Sequence, residues 1–429
     1  MSIRQLILAA GLVLAAHAHA QAPARAALPL SLGQALQAAR GNLDVAIARH
    51  ALSAARADVT AADRAPFPLV TAKTASIDLQ NGVGAGNVLT QKRIDKSIGL
   101  DWTWERGNKR ELRTLAAQRA ASAAQADVED TQTQQLLAAH AAFFDLLAAQ
   151  ERVEQVMAIE RSAAQLASSA ARRVRAGDLA AQDAARTEIE AQRARADVQA
   201  AQLERQRAAL ALAQLIGRTE GGIQLQAQSD WPATPPSLDA SPDFAALVEA
   251  RPEVRAAQAR VQAAQAALDG AAAQKRADIT WGASLDHYPG TSTRLLELRL
   301  QMPLQGLFGG YDYQGEIARA QALLSQAQDA LEKTRRGAAA EMQLLQEEAL
   351  STAQRARAYD SDILPRARQV ADGAELAYNK GALPLTDLLD ARRTLRATQL
   401  DALGARTDFA KAVGAWQLRT RPEALVPNP

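Results

Sequence analysis

Few residues in this chain have the types and spacing that chemistry at a site requires. Beyond residue 20 there are three histidines, His50, His140 and His287, and the chain has no cysteine. None of these histidines has a partner at metal-ligand spacing, and no nucleophile lies beside a base. With four methionines and no thiolate, a soft-metal site is implausible as well. The sequence therefore predicts a protein that is not an enzyme, with no catalytic residues, cofactor or metal site.

One pair of carboxylates has a spacing that places both groups together. Asp387 and Asp390 are three residues apart, so they share one face of a helix. Pro384 fits a first helical position, which puts Asp387 in the first turn. A carboxylate there stabilises the helix dipole by about 0.3–1 kcal/mol. Asp183 allows a similar account, so helix capping alone could explain all three acids.

These acids follow two glycine turns of the same design. The stretches "RVRAGDLAAQD" from Arg173 and "AYNKGALPLTDLLDA" from Ala377 each break a helix at a glycine and resume it before an aspartate. The starts of the two halves also align, "ALQAARGNLD" from Ala35 with "ALVEARPEVR" from Ala246. We therefore expect a duplicated domain with an internal twofold repeat.

The first twenty residues have the features of a secretory signal. A positive residue, Arg4, precedes an apolar core, and Ala18-His19-Ala20 fits a signal-peptidase site. The expected boundaries are a signal peptide at 1–20, a first repeat at 21–230, a linker at 231–240, a second repeat at 241–419 and a tail at 420–429. Export is thus expected, and without cysteine the exported chain is expected to carry no lipid.

Each repeat is expected to hold a helix, two strands, a long helix and a return helix. Period-two alternation marks the strands, at about 67–80, 94–104, 277–287 and 294–303. The long helices are expected at 108–176 and 314–378, and the return helices at 178–216 and 383–418. The first long run has neither proline nor glycine, whereas Pro365 should kink the second.

The strands have the length and the aromatic ends of membrane strands. Segments of roughly 9–11 residues can cross a bilayer, and Trp102, Trp104 and Trp281 are placed as interfacial aromatics. A soluble hairpin with one face on a core alternates in the same way. The export signal, the long helices and the lack of another evident sheet favour the membrane interpretation. Four strands cannot close a barrel, so several chains should pool their strands.

The ordered set of signal, paired strands, long helices and paired "RAGDLAAQD" and "NKGALPLTDLLDA" turns resembles the outer-membrane efflux protein (TolC-like) family. The resemblance implies a mainly α fold with membrane β-hairpins, in which a trimeric α-helical barrel continues a 12-stranded outer-membrane β-barrel. It also implies an exit duct that passively conducts substrate for a tripartite pump. The implied partners are two further copies in a homotrimer, a periplasmic adaptor, an inner-membrane RND-type transporter and outer-membrane lipid. A net charge of +2 gives no indication of nucleic acid.

Two further stretches are similar to the heavy-metal branch of that family: "WERGNKRELR" from Trp104 and "GYDYQGEIARAQA" from Gly310. That branch exports cations such as cobalt, zinc and cadmium, or copper and silver. Drug-efflux and type I secretion ducts of the same fold share nearly every other feature. A periplasmic coiled-coil scaffold is the remaining alternative.

The resemblance also assigns roles around the two turns. It implies that the turns are periplasmic tips that meet the adaptor, formed by Gly177, Asp178, Leu179, Gly381, Ala382 and Leu383. It implies that Asp387 and Asp390 ring the channel constriction, and that Asp183 and Tyr378 help to close it. The family's closing network includes an arginine where this chain has Leu383, so the closing contacts are expected to differ.

Overall fold

The computed structural model describes residues 28–75, 80, 94–218, 224–229, 231–232, 243–288, 292–304 and 310–421. The expected signal peptide, most of the expected linker and residues 422–429 of the tail lie outside these ranges. The fold is mainly helical, as expected. None of the described helices is long and apolar enough to span a bilayer.

The elements follow one another in an order that repeats once. The helices are α1 (Leu32–Ala39), α2 (Leu43–Ala62), α3 (Lys109–Ala176), α4 (Ala181–Leu215), α5 (Phe244–Ala250), α6 (Pro252–Ala273), α7 (Gln314–Ala358), α8 (Leu364–Asn379) and α9 (Leu385–Thr420). The strands are β1 (Leu28–Leu30), β2 (Leu69–Ala75), β3 (Asp95–Trp104), β4 (Leu225–Ala227), β5 (Ile279–Tyr288) and β6 (Ser292–Gln301).

The chain divides into two compact units. The first, here the turn unit, comprises Met1–Asn42, Gln134–Asp239 and Leu345–Pro429. The second, here the sheet unit, comprises Leu43–Thr133 and Ala240–Leu344. Each unit therefore takes segments from both sequence repeats, because the long helices α3 and α7 contribute residues to both.

The sheet unit contains a four-stranded antiparallel sheet. Its strand order is β2-β3-β5-β6, so one hairpin from each repeat joins the same sheet through β3 and β5. In that central pair Trp102 lies opposite Trp281. The sheet thus brings together strands that are far apart in the chain.

The turn unit contains a second, smaller sheet that the sequence pattern did not indicate. Strands β1 and β4 pair in parallel over three residues each. Strands so short show too little alternation to be recognised from period two. They pack on the main core of this unit, where Phe143 and Phe144 of α3 meet Leu212 of α4 and Leu225 of β4.

The second long helix is interrupted where Pro365 was expected to kink it. A π-helical turn, Tyr359–Ile363, separates α7 from α8, and Pro365 lies in the first turn of α8. Proline lacks the N–H for an intrahelical bond, and its ring clashes with the carbonyl four residues earlier. The wider π turn accommodates both effects at this position.

Candidate functional site

The first glycine turn ends α3 with a Schellman motif. The Gly177 N–H donates to the Val174 carbonyl at 3.0 Å, and the Asp178 N–H donates to the Arg173 carbonyl at 2.9 Å. This pair of bonds satisfies carbonyls at the helix end and needs a left-handed residue at the glycine. Gly177 has a φ of 83°, and open space surrounds the position that a Cβ would occupy. Conformation rather than crowding therefore requires glycine here.

The second turn repeats the same bonds at the end of α8. The Gly381 N–H donates to the Tyr378 carbonyl at 3.0 Å, and the Ala382 N–H donates to the Ala377 carbonyl at 2.9 Å. Gly381 has a φ of 75°. The duplicated sequence pattern is thus a duplicated C-cap. The return helices α4 and α9 begin at Ala181 and Leu385, a few residues after each glycine.

An arginine of the first turn reaches a tyrosine of the second. The Arg173 Nη1 donates to the Tyr378 hydroxyl at 3.0 Å, and the guanidinium carbon lies 5.6 Å from the centre of the tyrosine ring. Sequence reasoning missed Arg173. The signal that could have found it is its place in the last turn of α3, four residues before Gly177. Arg173 thus binds Tyr378 both through the hydroxyl and over the ring.

The predicted acids lie at the starts of the return helices. Asp387 and Asp390 are both exposed, and Asp387 accepts a hydrogen bond from the Thr386 hydroxyl at 3.2 Å. Pro384 is the N-cap residue of α9 rather than its first helical residue, so Asp387 is the third residue of the helix. The Asp183 Oδ1 lies 4.0 Å from the Nη1 of Arg186, three residues later in the same helix. Within the described residues of one chain, Asp183 and Tyr378 therefore form no hydrogen bond with each other; Asp183 lies near Arg186, and Tyr378 binds Arg173.

The sheet of the sheet unit is apolar on its exposed side. The exposed fractions are 77% for Leu298, 65% for Leu285 and 63% for Trp102. On the opposite side, Ser284 and Asp286 of β5 are buried. A half-buried strand of a water-soluble sheet shows the reverse arrangement, with apolar residues on the core. This sheet therefore has the side-chain distribution of a membrane-facing surface.

The three tryptophans lie at one end of that apolar side. Trp102 opposes Trp281 across the central strand pair, and Trp104 opposes Ile279 at the next exposed position. The exposed fractions are 63% for Trp102, 59% for Trp104 and 54% for Trp281. All three lie near the strand ends that connect to helices, where an aromatic girdle would meet a membrane surface.

On the polar side of the sheet, a glycine leaves room for an ion pair between the strands on either side of it. Asp101, Gly282 and Arg299 occupy one row across β3, β5 and β6. The Arg299 Nη2 lies 2.6 Å from the Asp101 Oδ1, so this ion pair spans the strand between them. A Cβ at residue 282 would overlap the Asp101 carboxylate. The glycine is therefore required by the ion pair above it.

We expect Gly282→Ala to destabilise the protein by about 1–3 kcal/mol, because the added methyl group would overpack this row and separate the two charges. The thermal midpoint of the purified protein in detergent would measure the loss. Gly337→Ala on α7 is the matched control, since its Cβ would meet nothing within 4 Å and alanine favours a helix. Equal thermal midpoints for the two variants would contradict the conclusion that the Asp101–Arg299 ion pair requires glycine at residue 282.

The two stretches similar to the heavy-metal branch are strand-to-helix junctions. In the first, Gly107 and Asn108 have φ values of 80° and 58°, and Lys109 pairs with Asp278 at 2.8 Å. In the second, the Tyr311 hydroxyl accepts from the Gly315 N–H at 2.9 Å and donates to Glu316 at 2.5 Å. The two stretches thus lie at the starts of the long helices α3 and α7.

His140 is a buried packing residue. Its ring centre lies 4.9 Å from that of Phe144, and a Cβ at Gly414 of α9 would overlap the imidazole. Burial, with a smaller contribution from the Lys411 charge, lowers the pKa of His140 to about 4. The imidazole is therefore neutral in the folded protein at physiological pH.

That lowered pKa predicts a specific loss of stability in acid. The unfolded chain binds a proton at His140 with a pKa of about 6.5, so stability falls as the pH drops from about 6.5 towards 4. The full contribution is on the order of 3 kcal/mol. Denaturation of wild type and His140→Gln across this range would test it, and we expect a shallower pH dependence in the variant. Identical slopes of stability against pH in the two proteins would show that groups other than His140 determine the acid dependence.

Among the described residues, no three histidine, aspartate or glutamate side chains are grouped so that they could hold a metal ion. The described surfaces instead support electrostatic interaction with ions and contact with an apolar surface. Exposed carboxylates follow the turns in the turn unit, and an apolar face with aromatic residues lies in the sheet unit.

Comparison with known proteins agrees with this description. The family model "Outer membrane efflux protein" matches residues 34–218. The cobalt-zinc-cadmium resistance protein CzcC of Cupriavidus metallidurans is 26% identical over 386 residues, which cover 89% of this chain and 88% of the relative.

Solved structures with the same fold cover most of the chain. The CusC structure, whose subject is folding and transmembrane channel formation, has a TM-score of 0.76 at 17% identity, over 92% of both chains. The Campylobacter jejuni outer membrane channel CmeC has a TM-score of 0.77 at 13% identity, over 90% of this chain and 85% of CmeC. The match to the family model over residues 34–218 and the shared fold together show that this chain is similar to outer-membrane efflux proteins in sequence and in fold.

Proposed function

We propose that this chain is the outer-membrane exit duct of a tripartite efflux pump. It would conduct substrate passively from an inner-membrane transporter of the RND type, through a periplasmic adaptor, to the exterior. The observation that carries the proposal is the exposed apolar face of the four-stranded sheet, opposite a face with buried Ser284 and Asp286. Lipid on one side and an aqueous bore on the other would account for both faces.

A duct of this kind needs more than one chain. Strands β2 and β6 form the edges of the described sheet, and open strand edges are not tolerated in lipid. Pooling four strands from each chain closes the sheet, with twelve strands from a homotrimer. The size of the unboiled protein in detergent, together with its membrane fraction, tests the proposal. A trimer in the outer-membrane fraction supports it, and a soluble monomer would overturn it in favour of a periplasmic scaffold.

The turn unit would form the periplasmic mouth of this duct. In this proposal Gly177, Asp178, Leu179, Gly381, Ala382 and Leu383 contact the adaptor at the two turns. Asp387 and Asp390, exposed beside the second turn, would place six carboxylates around the mouth of a trimer. Such a ring favours cations. Asp183 and Tyr378 would contribute to closure, with Arg173 holding Tyr378 within each chain.

We propose heavy-metal cations as the cargo. The similarity to CzcC extends over 89% of the chain, and a carboxylate ring at the mouth suits cationic cargo. Complementation of a deletion strain would test this with cobalt, zinc and cadmium alongside a panel of organic drugs. Restored metal resistance alone supports the proposal, whereas restored drug resistance alone would assign the chain to a drug-efflux duct.

A further inference from the structure

We propose that a cavity in the turn unit binds a small organic cation with an apolar body and an N–H-donating head group. The cavity has a volume of about 340 Å³ and is lined by segments of α3, α4, α8 and α9. Small-molecule pockets span roughly 300–1,000 Å³, so a compact ligand fits. The site is formed within one chain and does not depend on the proposed duct.

The body of the ligand would contact an apolar wall. Ile159 and Leu166 of α3 line one side, and Leu389 and Leu395 of α9 line another. Alanines at facing positions, such as Ala163 and Ala194, leave the space between the helices unfilled. Protein interiors have few voids larger than a water molecule, and apolar voids of this kind accept apolar molecules.

The arginines at this cavity do not select an anion, because each already has a carboxylate partner. Arg392 and Glu375 lie 3.1 Å apart, between α9 and α8. Two further ion pairs connect α9 to α4 and neutralise the other guanidinium groups: Arg393 with Glu190, and Arg396 with Asp197.

The polar groups of the lining that have no partner within the described residues include two hydrogen-bond acceptors, on Gln155 and Asp372. The Oε1 of Gln155 is buried and accepts no hydrogen bond. Asp372 makes no ion pair or hydrogen bond within the described part of the chain. A buried acceptor without a donor is unfavourable, and Asp372 is the carboxylate of the lining that no described cation pairs with, since Glu190 and Glu375 each pair with an arginine. An ammonium head group would supply a donor to Gln155 and a charge to Asp372, which is why we infer a cation.

The test uses the full chain purified in a non-ionic detergent. Calorimetric titration with 4-phenylbutylammonium should show saturable binding of one ligand per chain, with a Kd of about 0.1–1 mM for a ligand of this size. The matched probe 4-phenylbutanoate has the same body and the opposite charge. We expect it to bind about tenfold more weakly or not at all.

Variants then locate the binding. Asp372→Asn should weaken ammonium binding about fivefold, through loss of one partly exposed ion pair. Asp360→Asn removes an exposed acid of the neighbouring π turn and should leave it unchanged. Ala163→Leu should fill the cavity and abolish binding of both probes. Absence of saturable binding, equal affinity for the two probes, or an unchanged Kd in Asp372→Asn would overturn the proposal.

Discussion

Replacing Leu298 with arginine should largely prevent recovery of the protein from the outer membrane, whereas Glu297→Arg should be tolerated. The two residues are neighbours on β6 and both are exposed, but they lie on opposite faces of the sheet. Leu298 opposes Ala283 on the apolar face, and Glu297 opposes Ser284 on the polar face. An arginine facing lipid near the bilayer centre costs about 2–4 kcal/mol per chain, whereas one facing an aqueous bore costs little.

This pair of variants separates the membrane interpretation from its alternative. If the sheet were exposed to water on both faces, both arginines would be tolerated, because surface substitutions usually change stability by less than about 0.5 kcal/mol. The amount of unboiled trimer in the outer-membrane fraction is the measurement. Equal recovery of Leu298→Arg and Glu297→Arg would overturn the assignment of the apolar face to lipid.

The double substitution Asp387→Asn and Asp390→Asn should reduce the cation selectivity of the reconstituted channel by about five- to tenfold. Each exposed carboxylate within a Debye length of a permeating ion contributes a few tenths of a kcal/mol, and a trimer would carry six. Asparagine keeps the size and hydrogen-bonding capacity of the side chains. Single-channel reversal potentials in a salt gradient would measure the permeability ratio.

A control separates selectivity from helix capping. Glu111→Gln removes an acid at the same position in the first turn of α3, where a carboxylate stabilises the helix dipole by a similar amount. If Asp387 and Asp390 act only as helix-start acids, all of these variants would lose a little stability and keep the permeability ratio. That outcome would remove both residues from the constriction and leave the outer-membrane duct itself untouched.

Local patterns were enough to predict most of the elements. Period-two alternation located β3 and β5, because a strand with two different faces must alternate. Glycine in an otherwise unbroken helical pattern located both turns, because the left-handed residue of a Schellman motif strongly favours glycine. Pro365 marked the interruption of the second long helix through its missing N–H.

The long helices and the duplicated turns could thus be predicted from the sequence alone, since both depend on contacts between residues that are close in the chain. Tertiary structure decided which distant residues meet. Arg173 binds Tyr378 across the two turns, and Asp101 pairs with Arg299 over Gly282. Only the folded chain also showed that the apolar face of the sheet is the exposed one. Alternation shows that a strand has two faces, but burial by the rest of the chain decides which face meets the protein.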